Sequence, residues 1–396
     1  MNVLIWATTF GADLWSLARH LDARDDVTLK VVLDDPQGFQ REGVAQVFPL
    51  KAELIQRKQR HNLLGKIPGF APDITVMDKE VPLRAPSPAG LMLWHGFGWK
   101  GPDDVQSFAW MHRAIKTAFG DPRQPNPRFR WQCFGPWDLE FRSTVSGLHP
   151  ENCRLIGAVS HDDLRTPLDR TRAQPFYPFD VVDTPTVLIA PTWHYGEVFA
   201  HWGRDADLFE RLLGHLRQRG ANVILRLHDA FRFESAYVAF LRDLAVRHPH
   251  VVLKFKNEHP DNYLDLQVAD VLVTNYSSIA NLFYATGRPT VHVYPVRSAD
   301  EVFQWRQRTI FGVRTKEVES AHYVWKQSPE EHGGLLARDF EALLASLDRA
   351  LDDPMCCASQ ARAFLDKHML GADGRNGERA WRAMQDVVAS ARAAGL

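Results

Sequence analysis

The sequence predicts an α/β chain in two lobes, each built on a doubly wound parallel sheet. Three observations carry this reading. At 396 residues the chain exceeds one comfortable core, its first forty residues read strand–helix–strand, and a second α/β series starts afresh after a proline-rich stretch.

The opening unit is Val3–Trp6 as a strand and Thr8–Gly11 as a turn. Leu14, Leu17, Ala18 and Leu21 then repeat at helical spacing, and Thr28–Leu33 forms the next strand. Residues Gln56 to Lys66 are basic, and a solvated helix face is the simplest account, with membrane phosphate as the alternative. After the loop Pro82–Gly90 comes an apolar strand, Leu91–Trp94, ending in His95-Gly96. The segment Thr171–Pro185 has three prolines and little periodicity, as a linker would. Beyond it, strands are expected at Thr186–Ala190, Asn222–Leu227, Val251–Phe255, Val271–Thr274 and Thr290–Val293, with helices at Asp207–Arg219 and Phe233–Arg247. The expected division is residues 1–175 as the first, acceptor-side lobe and 186–370 as the second, donor-side lobe. A helix within 371–396 could cross back to the first. There is no sequence repeat or low-complexity tract.

Composition narrows the class. Apolar residues at 45% and charged residues at 24% are ordinary for a globular enzyme, and a net charge of -1 gives no global field for nucleic acid. An anionic ligand must then be held by a local site. The four cysteines lack metal-ligand spacing and suit reduced thiols in a cytoplasmic protein. The N-terminus has no secretory pattern, and no run approaches the roughly 20 apolar residues that span a bilayer. Asp103-Asp104 and Asp162-Asp163 could bind a metal, but adjacent side chains point apart, so solvated turns or helix caps are the simpler account, and no Walker loop, zinc motif or serine-hydrolase elbow is present.

The chemistry collects where strands end. Polar groups follow four of them: His95-Gly96, Thr192-Trp193-His194, His228-Asp229 and Asn275-Tyr276-Ser277-Ser278. In open parallel sheets, ligands bind just beyond these carboxyl ends. Ser277 and Ser278 precede a helical pattern, where backbone N–H groups favour phosphate, although capping by Asn275 or Ser277 would explain the segment without a ligand. His95 could accept a proton from a hydroxyl, since an unperturbed imidazole has a pKa of about 6.5, or simply bond to backbone. Arg226 and His228 alternate along one strand and could face a pyrophosphate, or pair with Asp229 or Asp261.

These residues stand in company. His95-Gly96 with Lys100, Gly157–Leu164, Ala190–Trp193, Leu225–His228 and Ala269–Ile279 follow in an order that resembles the CDP-glycerol glycerophosphotransferase family, which builds teichoic-acid and capsule-like polymers. The resemblance implies a GT-B-like fold, two Rossmann-like lobes with parallel sheets facing across a cleft. It also implies transfer of a polyol phosphate from a CDP-activated donor to a glycan, polyol-phosphate or lipid-linked acceptor, releasing CMP. By it, His95 is the base and His228 with Arg226 steadies the departing nucleotide. Gly96, Thr192, His194, Asn275, Ser277 and Ser278 complete the donor site, without cofactor. Membrane contact at the cytoplasmic face would be peripheral.

The chain departs from the family pattern at Asn275, His194 and Asp229, where Asp, a basic residue and Pro are usual, and after His95-Gly96, where Phe97-Gly98-Trp99-Lys100 replaces Pro-Leu-Lys. These positions surround the pocket, so polyol and acceptor stay open. A GT-B glycosyltransferase using a nucleotide sugar, a nucleotide-sugar epimerase and a non-catalytic nucleotide- or glycan-binding member remain as alternatives.

Overall fold

Runs of Val, Ile and Leu bounded by turn residues become two separate parallel sheets. The computed structural model describes residues 1–8, 10–94, 96–97, 105–192, 197–199, 201–275, 277–294, 302–309, 311–319, 329–370 and 373–396. The first compact unit comprises Met1–Thr166 and Leu365–Leu396, and the second Pro167–Phe364.

In the first unit the strands are β1 (Asn2–Trp6), β2 (Thr28–Leu33), β3 (Glu53–Gln56), β4 (Ile74–Met77), β5 (Ala89–Met92), β6 (Phe129–Cys133) and β7 (Cys153–Leu155). Their order is β3-β2-β1-β4-β5-β6-β7, with every pairing parallel. The strand expected at Leu91–Trp94 starts two residues earlier, because Gly90 and Ala89 already pair with β4. The helix Ala12–Asp22 buries Leu14, Leu17, Ala18 and Leu21, the four positions picked out by spacing. Asp162 and Asp163, read as candidate caps, lie in a short helix, Ser160–Leu164. Asp162 accepts the N–H of Gly377 at 2.7 Å, and Asp163 pairs with Arg19 at 3.1 Å.

That aspartate therefore anchors the C-terminal helix Asn376–Ala393, which buries Ala380, Trp381, Met384, Val387 and Val388 within the first unit. Asn376 adds a second tie, donating Nδ2–H to the Ala158 carbonyl at 2.9 Å.

In the second unit the strands are β8 (Thr186–Ile189), β9 (Asn222–Leu227), β10 (Val251–Phe255), β11 (Val271–Thr274), β12 (Thr290–Val293), β13 (Val302–Thr309), β14 (Gly312–Glu319) and β15 (Leu335–Ala337). Six form a parallel sheet in the order β10-β9-β8-β11-β12-β15. Both large sheets thus begin with the 3-2-1-4-5 order of the doubly wound fold, reversing direction between their first and fourth strands. Helix Asp205–Gln218 presents Leu208, Phe209, Leu212, Leu213 and Leu216 to the core, and helix Phe340–Asp352 adds Phe340, Leu343 and Leu347. Each fully buried leucine contributes roughly 1.5–3 kcal/mol.

The stretch 171–185 belongs to the second unit rather than running between units. Tyr177 donates its hydroxyl to Asp265 at 2.6 Å, and Arg170 pairs with Asp270. The antiparallel ribbon β13–β14, inserted between β12 and β15, had no sequence expectation.

Gly157, at φ +82°, lies beneath Asn376; a Cβ there would come within 2.3 Å of Asn376 Oδ1. Gly157→Ala combines a left-handed backbone penalty with displacement of that amide, and should lower unfolding free energy by about 2–3 kcal/mol in urea denaturation. Gly220→Ala, at φ +67° but with open space around it, should cost only about 1 kcal/mol.

Candidate donor site in the second unit

A doubly wound sheet opens a crevice where its strand order reverses, because the chains leaving the two central strands diverge. In the second unit those strands are β8 and β11. Past the last ladder bond, Thr274 donates its hydroxyl to the Ala190 carbonyl at 2.7 Å. One residue further, buried Asn275 accepts the backbone N–H of Thr192 on Oδ1 at 2.8 Å. Two residues expected at the donor site are thereby joined directly. The Asn275 side chain is thus committed across the sheet, and does not cap the helix that follows.

The backbone carbonyl of Asn275 is also held. His292, on β12, donates from Nδ1 at 3.0 Å, and its Nε2 receives the Tyr284 hydroxyl at 2.6 Å. Burial pushes the His292 pKa down to about 4, so the ring is neutral and fixed in this tautomer by its two partners. His332 Nδ1 lies 3.3 Å from the same hydroxyl. Ser277 and Ser278 come next, half-buried, and lead into the helix Ile279–Phe283. The Ser277 hydroxyl approaches the Ile279 N–H only at 3.5 Å, and Ser278 makes no side-chain cap bond. Capping thus engages Ser277 through one long bond and leaves Ser278 without a side-chain cap bond.

On the other side of β8 lies β9, whose end carries the expected cation and imidazole. Their fates differ. Arg226 is buried within the strand; it donates from Nη1 to Asp265 at 2.9 Å and from Nη2 to the His259 carbonyl at 2.7 Å. Of the two accounts left open for Arg226, an internal ion pair is the arrangement present, with Asp265 rather than Asp229 or Asp261. Lys254 also donates to Asp265, at 2.6 Å. Burial opposes the charge on Asp265, but Lys254 and Arg226 hold its carboxyl below the usual range. Neighbouring Asp261 is pushed up to about 6 by its own burial and by Asp265.

His228 stands just past the strand end with its side chain 27% exposed. Its Nδ1 lies 2.7 Å from Asp229 Oδ2 and is approached by the Asp229 N–H at 2.9 Å and Arg232 Nε at 3.0 Å. Burial pushes its pKa down to about 4, against the pull of Asp229, and that carboxyl is held at about 2 although burial opposes its charge. At neutral pH His228 is an uncharged donor and acceptor, not a cation.

The ends of three adjacent strands, β9, β8 and β11, therefore bring His228, Thr192 and Asn275 to one edge of one sheet, with Ser277 and Ser278 following directly. His95 and His194 lie outside the described residues, and Gly96 falls in a half-buried bend of the first unit. Sequence reasoning passed over Arg232, Asp265, His292 and Asp205. Buried Asp205 accepts the N–H groups of Val198 and Phe199, each at 2.7 Å, and burial raises its pKa to about 6. Only its place in the first turn of a helix signalled it. Among the described residues no group of three or more His, Cys, Asp or Glu side chains could hold a metal ion.

Asn275→Ala leaves the Thr192 N–H without its acceptor and should destabilise the protein by about 1–3 kcal/mol in urea melts. Asn275→Asp keeps an acceptor there and should cost less than about 1 kcal/mol.

No curated protein sequence matches the chain. Among solved structures, the wall teichoic acid polymerase TagF superposes with a TM-score of 0.65 at 13% identity, covering 98% of this chain and 89% of that one. UDP-GlcNAc 2-epimerase from Neisseria meningitidis, bound to UDP-GlcNAc, gives 0.57 at 13% identity over 97% and 100% of the two chains. A putative UDP-N-acetylglucosamine 2-epimerase from Listeria monocytogenes gives 0.54 at 13% identity over 97% and 95%. At these identities the likeness is one of fold, and that fold is GT-B-like. Residues 175–297 match the family described as CDP-glycerol:poly(glycerophosphate) glycerophosphotransferase, a span holding β8 to β12 with Thr192, Arg226, His228, Asn275, Ser277 and Ser278. By that match the segment 175–297 is similar to the CDP-glycerol glycerophosphotransferase family.

Proposed function

We propose that the protein transfers glycerol phosphate, or a closely related polyol phosphate, from a CDP-activated donor to a hydroxyl of a cell-surface polymer or its precursor. The observation that carries this is the clip between Thr192 and Asn275 at the switch point, with two serines immediately after it, inside the family-matched region. Backbone N–H groups and hydroxyls gathered there suit the oxygens of a diphosphate.

In the proposed reaction the acceptor hydroxyl attacks the phosphorus that bears the polyol. A new P–O bond forms, the P–O–P bridge breaks, and CMP leaves with the bridging oxygen. His95 takes the hydroxyl proton, a role for which an imidazole is suited at neutral pH. His228 donates a hydrogen bond to the departing phosphate, and Thr192, Ser277 and Ser278 hold phosphate oxygens. His194 and Gly96 complete the donor-site proposal. Arg226 acts from behind it, because its guanidinium is engaged by Asp265 and the His259 carbonyl.

The test is incubation of the full chain with CDP-glycerol and a glycerol-phosphate oligomer, with nucleotide products separated by chromatography. CMP together with a lengthened oligomer is the expected result. Failure to consume CDP-glycerol, alongside turnover of UDP-N-acetylglucosamine, would replace this reading with a sugar-nucleotide activity. His95→Ala should lower kcat by roughly 10²–10⁴-fold. Replacing Ser277 and Ser278 together by Ala should weaken CDP binding about tenfold in calorimetry, and unchanged affinity would remove them from the site.

A lipid-linked acceptor and peripheral membrane contact are the finer part of the proposal. No helix among the described residues is long and apolar enough to cross a membrane. In the first unit, however, Leu63, Leu64 and Leu83 are exposed, and Asn62 ties the two stretches by accepting the Leu83 N–H at 2.7 Å. Lys58, Arg60, Lys66 and Arg84 are exposed in the same two stretches. Exposed apolar side chains in stretches that also carry exposed cations fit the boundary layer of an anionic bilayer. The protein should sediment with phosphatidylglycerol vesicles and not with phosphatidylcholine ones, and Leu63→Ser with Leu64→Ser should reduce that binding several-fold. Equal behaviour toward both lipids would dismiss the patch.

A further inference from the structure

His228 is useful to a departing phosphate only if the correct ring nitrogen carries its proton. With the proton on Nε2, that atom donates to a phosphate oxygen. With Nε2 bare, the ring presents a lone pair to an anion. Three groups meet at Nδ1. The Asp229 N–H at 2.9 Å and Arg232 Nε–H at 3.0 Å both require a lone pair there, whereas Asp229 Oδ2 at 2.7 Å would accept a proton from it. Because burial keeps the ring neutral, it has one proton to place, and the two arrangements exclude one another.

Arg232 is not loose enough to follow either arrangement. It closes the short turn Ala230–Arg232, and its side chain is 17% exposed. Its Nη1 donates to the Arg306 carbonyl on β13 at 2.9 Å, and its Nε lies 3.6 Å from Asp229 Oδ2. Arg306 in turn forms an ion pair with Glu234, two residues beyond Arg232. The ribbon β13–β14 is thereby fastened to the turn that holds the imidazole, while its tip residue Phe311 is 86% exposed.

We propose that Arg232 is a positioning residue that selects the tautomer of His228, its Nε–H holding a lone pair on Nδ1 so that the ring proton resides on Nε2, with the β13–β14 ribbon bracing the guanidinium through the Arg306 carbonyl. The consequence for catalysis rests on the reading of His228 as a donor-site group; the tautomer assignment does not. Removing the guanidinium leaves the Asp229 carboxylate as the stronger partner of Nδ1, and the proton moves to that side.

The experiment is a long-range ¹H–¹⁵N NMR spectrum of the full chain labelled at histidine, with the His228 ring identified by its loss in His228→Gln. The wild-type ring should show protonated Nε2 and unprotonated Nδ1. Arg232→Gln should reverse this pattern, and Arg232→Gln combined with Asp229→Ala should restore it. Unchanged signals from the other histidines report that the fold is retained. Turnover of CDP-glycerol by Arg232→Gln should fall at least about tenfold in kcat, with KM little changed. A wild-type ring protonated at Nδ1, or a tautomer indifferent to Arg232→Gln, overturns the proposal. A tautomer that switches without any change in kcat upholds the role of Arg232 in setting the ring and overturns the role given to His228 in the reaction.

Discussion

Each large sheet divides where its strand order reverses, and in each a side chain one residue past the fourth strand ties the division at its carboxyl end. In the second unit Asn275 takes the N–H of Thr192; in the first, Asp78 takes the N–H and hydroxyl of Thr8. The constraint is general. Ladder hydrogen bonds stop where the strands part, yet the first backbone N–H beyond them is still partly buried and needs an acceptor. A short carboxamide or carboxylate one residue past the fourth strand supplies it. That bond fixes the path of the chain leaving β8 and of the chain leaving β11. The candidate phosphate groups are carried on those two paths.

Around this clip, charge is handled by burial and pairing rather than by a field. The whole chain is close to neutral. Arg226 on β9 and Lys254 on β10 are both bound to Asp265. His228 and His292 are both held neutral by burial, so each works through hydrogen bonds at defined nitrogens. In the proposed reaction a diphosphate would be recognised by the direction of N–H and O–H donors, which a low dielectric strengthens.

The ribbon β13–β14 adds a layer that the doubly wound pattern does not require. It reaches the turn Ala230–Arg232 through the Arg306 carbonyl, a backbone atom. A sequence comparison at position 306 alone would not register that contact.

Local pattern determined a good deal. The strands at Thr186–Ile189, Asn222–Leu227, Val251–Phe255, Val271–Thr274 and Thr290–Val293 are legible because buried parallel strands are short apolar runs between turn signals, and Gly220 marks a helix end by its positive φ. That polar residues follow those strands is equally plain from sequence, as is the family resemblance of the region around Asn275 and the two serines. Tertiary structure alone decided what the polar residues do. Arg226 and His228 share a side of one strand, yet one turns to a carboxylate supplied by Asp265 and the other to a turn closed by Arg232. The ribbon escaped notice because its alternation mixes charged and aromatic residues without an apolar face. Sequence period reports which side of an element a residue occupies; the carboxylate that neutralises buried Arg226 lies 39 positions away and the carbonyl that braces Arg232 lies 74 away, and only the folded chain brings them within hydrogen-bonding distance.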